Sequence, residues 1–162
     1  MQAVPRSRAR GFTLIELLVT VAIVGLLASV AAPLMEVSAQ RTRETDLRHS
    51  LQQLREAIDA YKRAVDEKRV ASPIDASGYP PTLKLLAEGV PDARSPKPAK
   101  IYFLRRIPRD PFATDPSVPP EAGWETRSYE SPPEEFKPGR DVYDVRSKSD
   151  AKGLNGVPYK DW

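Results

Sequence analysis

The sequence contains no cysteine and a single histidine, and both shortages limit its chemistry. Without cysteine the chain cannot hold a disulfide, a thiolate zinc site or a cysteine nucleophile. His49 is interpreted as a solvated helix residue rather than a metal ligand. No glycine-rich phosphate loop or nucleophile motif is present, and acids such as Asp110 and Glu134-Glu135 lie in proline-rich stretches. These absences argue against an enzyme.

Proline is scarce in the first 70 residues, where only Pro5 and Pro33 occur, whereas 15 of the 17 prolines follow. The chain therefore has two unlike parts that divide near Val70, and the second part must be rich in loops. A length of 162 residues leaves room for one domain of ordinary size.

The net positive charge of the chain comes from its N-terminal end. The formal net charge of +3 equals the contribution of Arg6, Arg8 and Arg10, because residues 1–11 contain no acid and the rest of the chain has 22 basic and 22 acidic side chains. Basic residues directly before an apolar run are typical of a membrane-topology signal. Nucleic-acid binding is therefore not expected.

Residues 12–35 form an apolar run of 24 residues in which Glu16 carries the one charge. At about 1.5 Å per residue, a helix of this length would cross a bilayer core of about 30 Å. Because basic residues precede the run and Glu36 follows it, the N-terminus is expected in the cytoplasm and residues 36–162 beyond the membrane.

Three interpretations of this run remain. A cleaved signal peptide could use Val30-Ala31-Ala32 as its site, although its apolar core is normally about 7–15 residues. Neither a signal peptide nor a plain anchor explains Glu16, whose charge would cost about 2.5–3.5 kcal/mol within a bilayer. A cut before Phe12 would create an amine that could pair with Glu16 of a neighbouring copy, so the spacing predicts self-assembly. An acid reaching the membrane interface is the structural alternative.

The segment from Arg10 to Val19, RGFTLIELLV, resembles the class III signal of type IV pilins and type II secretion pseudopilins. This resemblance implies that residues 1–11 are a leader, that a prepilin peptidase cuts between Gly11 and Phe12, and that Phe12 is then N-methylated. It also implies that Glu16 neutralises the Phe12 amine of an adjacent subunit during filament assembly.

Gly25 and Pro33 also fit the pattern of this superfamily. They would cost about 1 and 3 kcal/mol in the interior of a soluble helix. The resemblance implies that the helix is lost between them when subunits pack in a filament. The residues alone agree equally well with a kink at Pro33.

A helical stripe follows the apolar run. It consists of Leu47, Leu51, Leu54, Ile58, Tyr61 and Val65, at alternating steps of four and three. Either the second part of the chain folds back onto this stripe or a coiled-coil partner covers it. We expect this helix to continue until Ala71-Ser72-Pro73.

The second part is predicted to contain a short helix and two strands. Residues 81–89 form the helix, with Thr82 as its N-cap and Gly89 beyond its end. Residues 123–131 and 140–146 form two antiparallel strands. The predicted fold class is α+β: a long N-terminal helix, membrane-spanning in its first half and amphipathic in its second, packed on a small antiparallel sheet with proline-rich loops. Its predicted segments are a leader (1–11), a membrane and filament-core helix (12–35), an amphipathic continuation (36–70) and a globular part (71–162).

Three segments, Gly78–Thr82, Tyr102–Phe112 and Asp141–Val145, resemble the G-type major pseudopilin of type II secretion in this order. The resemblance implies a structural subunit of a homo-oligomeric pseudopilus that drives protein export, anchored by one span in the inner membrane with its globular part in the periplasm. Its implied partners are other pseudopilins, the prepilin peptidase and methyltransferase, and an inner-membrane platform with a cytoplasmic ATPase. A type IV pilus subunit for adhesion, motility or DNA uptake is the alternative.

The last 16 residues occupy the place where G-type pseudopilins hold Ca²⁺. By this resemblance Ser149, Asp150, Asn155 and Asp161 could supply some of the six to eight oxygens that Ca²⁺ needs. Lys148, Lys152 and Lys160 interrupt this run. A metal-free turn with Trp162 packed back on the domain is the alternative.

Overall fold

The computed structural model describes residues 11–132 and 134–162, and for residues 30–33 it describes the backbone alone. The chain divides into two compact units, Met1–Gln40 and Arg41–Trp162. The elements, in chain order, are α1 (Leu14–Asp66), α2 (Leu83–Glu88), β1 (Val90–Pro91), β2 (Lys100–Ile101), a 3₁₀ turn (Pro120–Gly123), β3 (Trp124–Arg127), β4 (Asp144–Ser147) and a second 3₁₀ turn (Tyr159–Asp161).

Helix α1 ends at Asp66, several residues before the predicted stop at Ala71-Ser72-Pro73. The Arg69 amide donates to the Ala64 carbonyl at 2.8 Å, and the Lys68 amide donates to the Val65 carbonyl at 2.8 Å. These bonds form a Schellman motif, which closes a helix through one residue in the left-handed region. Lys68 takes that conformation, with φ of 56°. The prediction was wrong because glycine, the usual signal for this motif, is absent from the turn.

The predicted short helix is confirmed as α2. Thr82 is confirmed as its N-cap residue, although its side chain makes no capping hydrogen bond. Gly89 ends the helix at φ of 76°, and its amide donates to the Leu85 carbonyl at 3.1 Å. A Cβ on Gly89 would lie 2.7 Å from Cε1 of Tyr102, so glycine is required both by conformation and by space.

The predicted antiparallel pair is confirmed as β3 and β4, in a register that pairs Trp124 with Ser147 and Arg127 with Asp144. Both strands are shorter than predicted, because beyond Arg127 the Ser128 amide bonds to the Lys137 carbonyl in a loop. The single predicted sheet is in fact two in the described residues, since β1 and β2 form a separate antiparallel pair. Strands of two residues leave no alternating pattern to detect.

The predicted stripe of α1 forms the core of the unit Arg41–Trp162. Leu47, Leu54 and Ile58 are fully buried, Leu51 and Tyr61 nearly so, and Val65 packs at the edge. The residues that cover the stripe come from the second part of the chain: Val70, Leu83, Leu86, Val90, Trp124, Val142, Val145 and Tyr159. The folded-back arrangement is therefore confirmed, and the α+β fold class with it.

Two buried carboxylates hold the loops around this core. Asp141 accepts hydrogen bonds from the hydroxyls of Ser77 and Ser128 and, at 2.9 Å, from the Tyr129 amide. Asp110 accepts from the Ser147 hydroxyl at 2.6 Å. Because buried carboxylates are costly unless hydrogen-bonded, these contacts fix the loops in one arrangement.

Candidate functional site

The first turn of α1 is a capping box. The Glu16 amide donates to the Thr13 hydroxyl at 3.3 Å, and the Thr13 amide donates to Oε2 of Glu16 at 3.3 Å. This reciprocal pair satisfies two amides that a helix start otherwise leaves without partners. Thr13 was missed as a site residue, although the spacing Thr-x-x-Glu is the sequence signal for this motif. In the part of the chain that the structure describes, Glu16 has no basic partner.

The capping box starts a helix whose apolar side chains are exposed. Phe12 is 86 % exposed, and the large apolar side chains after it are also uncovered. They are Leu14, Ile15, Leu17, Leu18, Val19, Val21, Ile23, Val24, Leu26, Leu27, Leu34, Met35 and Val37. Helix α1 is long and apolar enough to cross a membrane. A contiguous apolar surface of this kind marks a region that contacts lipid or other protein chains.

The other residues predicted to act near the N-terminus lie just before α1 or within it. Gly11 and Phe12 lie before the helix, while residues 1–10 of the predicted leader are outside the described chain. The helix assignment continues through Gly25 and Pro33. A Cβ on Gly25 would meet nothing within 4 Å, and the side chain of Pro33 lies outside the described residues. Processing, methylation and loss of helix in a filament all stay predictions.

The four predicted calcium donors lie in the C-terminal loop, where three of them have hydrogen-bond or ion-pair partners within the chain. Asp150 pairs with the Lys160 ammonium at 3.2 Å, and Oδ1 of Asn155 accepts the Val157 amide at 3.0 Å. Ser149 accepts a long bond from a neighbouring amide, and Asp161 lies in the final 3₁₀ turn. Across residues 11–132 and 134–162, no group of three Asp, Glu, His or Cys side chains is placed to hold a metal ion. Calcium binding at these donors stays a prediction.

The sequence analysis also missed Glu44, which is 8 % exposed on α1. Its Oε1 accepts the Leu154 amide at 2.7 Å and the Tyr159 hydroxyl at 3.0 Å. Glu44 lies three residues before Leu47 and so continues the apolar stripe, which was the available signal. An acid in a core-facing position predicts a polar partner from the part of the chain that covers it.

His49 is exposed on α1, as predicted.

The N-terminal part of the chain matches a known family of proteins. Residues 6–32 match the family profile of the prokaryotic N-terminal methylation motif. This match covers the capping box and most of the exposed apolar surface.

Several bacterial proteins, each called type II secretion system core protein G, are similar to this chain. The one from Klebsiella michiganensis is 30% identical over 114 residues, which are 68% of this chain and 72% of the relative. The one from Klebsiella pneumoniae is 33% identical over 113 residues, or 67% and 72%. The one from Vibrio cholerae is 30% identical over 108 residues, or 65% and 66%.

No solved structure matches the chain significantly. The match to core protein G nevertheless extends well beyond the N-terminal motif, because the motif covers residues 6–32 and the similarity covers about two thirds of the chain. The methylation motif, the long helix that begins with it and the small sheets that follow all agree with the predicted resemblance. The chain belongs to the type II secretion system core protein G family, the pseudopilins.

Proposed function

We propose that this chain is a structural, non-enzymatic subunit of a type II secretion pseudopilus and that it assembles through the first part of α1. The observation that carries this proposal is the exposed apolar surface of residues 12–37 with one carboxylate, Glu16, at its start. Every residue of that surface would be buried if several copies of the helix were bundled.

Glu16 would then determine how copies engage. Its bonds to Thr13 are hydrogen bonds within one chain and leave the negative charge uncompensated. In an apolar bundle such a charge is costly unless it meets an opposite charge. The free amine of Phe12 on an adjacent processed subunit would supply that charge, so a subunit joins the filament where its neighbour's terminus is available.

The proposal includes a location. The chain would be held by one span in the inner membrane, with its N-terminus in the cytoplasm, its globular unit in the periplasm, and the assembled pseudopilus in the periplasm. It would require prepilin peptidase and methyltransferase for processing, and other pseudopilins and a platform with a cytoplasmic ATPase for assembly. The shared name of the relatives favours secretion over a type IV pilus.

The first test is the intact mass and N-terminal sequence of the protein purified from membranes that contain a prepilin peptidase. We expect a chain that starts at Phe12 with one added methyl group. A chain that retains residues 1–11, or one that starts at Pro33, would contradict the proposal and support a plain anchor or a signal peptide.

The second test separates the charge of Glu16 from its capping role. Glu16→Gln retains an oxygen that can accept the Thr13 amide but removes the charge, because glutamine also serves in capping boxes. We expect Glu16→Gln and Glu16→Ala to be processed normally and to form no filaments. Glu36→Gln, at an exposed acid beyond the apolar run, is the matched control and should assemble. Normal filaments from Glu16→Gln would exclude charge pairing as the basis of assembly.

A further inference from the structure

The C-terminal loop, residues 147–162, is where the family resemblance predicted Ca²⁺, yet several of its contacts are made with side chains of α1. We propose that Glu44, Arg48 and Arg55 fasten this loop to the helix, so that the globular unit of this chain folds and keeps its loop closed without a metal ion. These three residues lie along α1 and each contacts the loop.

Glu44 provides the first attachment. One of its oxygens accepts both the backbone amide of Leu154 and the hydroxyl of Tyr159, at 2.7 and 3.0 Å. The two donors come from either side of the tight turn at Gly156, which has φ of 79°. A single carboxylate therefore joins the two arms of the loop, which is the mechanical role that a bound cation would have among carboxylates of the loop itself.

Trp162 provides the second attachment. The Arg48 guanidinium lies 4.4 Å from the centre of its indole, a cation–π contact. Nη2 of Arg55 donates to the backbone oxygen of Trp162 at 2.9 Å, while Nε of the same residue pairs with Asp144 at 2.9 Å. Arg55 thus ties the loop and β4 to the same point of the helix.

The interior of the loop is filled by side chains. The Gly153 amide donates to the Val157 carbonyl at 2.9 Å across the loop. A Cβ on Gly153 would lie 2.5 Å from the Trp162 indole and 2.8 Å from Oδ1 of Asn155. The Tyr159 ring packs edge-on against the indole with centroids 5.0 Å apart. The indole and the amide oxygen therefore occupy the space beside the Gly153 backbone.

Charge within the loop opposes a divalent cation. Residues 147–162 contain three lysines and two aspartates, and the Asp150 carboxylate is already beside the Lys160 ammonium. Calcium sites gain affinity from the number of their carboxylates. A loop with an excess of lysines offers little attraction to Ca²⁺, and the buried carboxylates that contact it, Glu44 and Asp110, already accept hydrogen bonds from its residues.

The test compares the full-length chain in detergent with excess CaCl₂ and with excess EGTA. We expect the same Tm in both solutions, and equally slow amide exchange in the peptide that contains Leu154. A Tm that rises by several degrees in CaCl₂, or amide protection that disappears in EGTA, would overturn the proposal.

Variants locate the attachment. In EGTA, Glu44→Ala should lower the Tm and accelerate amide exchange in the C-terminal peptide, and Arg48→Gln should do so more mildly because it leaves the core unchanged. Asp46→Ala, at an exposed acid of the same helix, is the matched control. The double variant Asp150→Ala, Asp161→Ala should behave like the unmodified chain.

A C-terminal peptide that exchanges slowly in Arg48→Gln and Glu44→Ala, but rapidly in the double aspartate variant, would show that the loop's own acids hold it and would refute the proposal. All of these measurements use unassembled subunits. Their outcome is therefore independent of filament formation, and a failure here leaves the pseudopilus role untouched.

Discussion

Leucines of the same helix, α1, are exposed in one unit and buried in the other. In Met1–Gln40, Leu18 is 56 % exposed, whereas in Arg41–Trp162, Leu54 is fully buried by the second part of the chain. Burial within one molecule completes a core, whereas exposed leucines require an outside environment. The second unit is therefore stabilised within one molecule, whereas the apolar surface of the first has no such cover among the described residues.

Acidic side chains also differ in burial between the two units. Glu44, Asp110 and Asp141 are buried in the second unit, and each accepts hydrogen bonds from residues distant in the chain. Glu16 is exposed in the first unit and contacts only Thr13 among the described hydrogen bonds. The three buried acids of the second unit therefore have partners within the same molecule, whereas the hydrogen bonds described for the Glu16 side chain stay within one helical turn.

The largest change in the free energy of unfolding is expected for a buried leucine of the second unit. Leu54→Ala should lower the free energy of unfolding of the second unit by about 2–5 kcal/mol, because it opens a cavity in a filled core. Leu18→Ala should change it by less than about 0.5 kcal/mol, because its side chain has no intramolecular cover. Chemical denaturation of the full chain in detergent, followed by tryptophan fluorescence, measures both. Equal losses would mean that the two units do not differ in this way.

The next prediction concerns the pKa of the buried Asp141 carboxyl group and its contribution to stability. Burial alone would raise its pKa, but hydrogen bonds from Ser77, Tyr129 and Ser128 outweigh burial and hold the pKa below its ordinary value. A lowered pKa means that the carboxylate stabilises the fold above its unfolded pKa of about 3.9 and that this stability is lost as pH falls through the folded value.

Asp141→Asn should therefore cost about 1.5–3 kcal/mol at neutral pH, since hydrogen bonds to a charged group are lost, and should flatten the acid limb of a Tm-against-pH curve. Asp75→Asn, at an exposed acid, is the control and should retain the acid limb. An unchanged curve in Asp141→Asn would assign acid sensitivity to other carboxylates.

A glycine pair gives a third, smaller contrast. Gly89→Ala should cost about 1–3 kcal/mol, because φ of 76° with ψ of 148° is a conformation taken almost only by glycine, and it also forces Tyr102 to move. Gly25→Ala meets nothing within 4 Å and favours helix by about 1 kcal/mol, so the Tm of the second unit should not fall. Thermal melts of both variants check the pair. A loss in Gly25→Ala would indicate a packing contact at that glycine.

The smallest expected effect is an increase in the free energy of unfolding. Lys68→Gly should raise the free energy of unfolding by up to about 1 kcal/mol, because a left-handed lysine costs about 1–2 kcal/mol and glycine returns part of this through its greater freedom in the unfolded chain. Glu67→Gly, at the turn residue between the end of α1 and Lys68, should instead lower it by about 0.5–1 kcal/mol, because φ there is not positive and glycine only adds freedom to the unfolded chain. Thermal melts of the pair give the sign; a loss in both would contradict the Schellman assignment.

The sequence predicted the features that repeat or that follow strong local rules. The stripe from Leu47 to Tyr61 repeats at helical spacing, and Gly89 is the expected residue at a helix end. The β3 and β4 pair was also predicted, because aromatic and β-branched residues lie between breaks in both strands. The class III signal carried the family assignment because it is a contiguous motif.

What the sequence could not supply depends on contacts between distant residues. The end of α1 was missed because Lys68 adopts a conformation usually taken by glycine. The separate pair β1 and β2 is too short for a period, and Asp141 bonds to residues from two other segments. The predicted oxygen donors of the tail have partners of their own, such as Lys160 beside Asp150 and the Val157 amide on Asn155, which composition does not show.

The contacts of Glu44 also set when the domain can finish folding. Leu154 and Tyr159 lie 110 and 115 positions after Glu44. The hydrogen bonds of Glu44 can therefore form only when these distant residues are in place. Contacts of such long sequence separation slow folding, because most of the chain must be ordered before they form. A chain that lacks Leu154 and Tyr159 would lack these closing contacts of Glu44, and its globular unit would be more open to proteolysis.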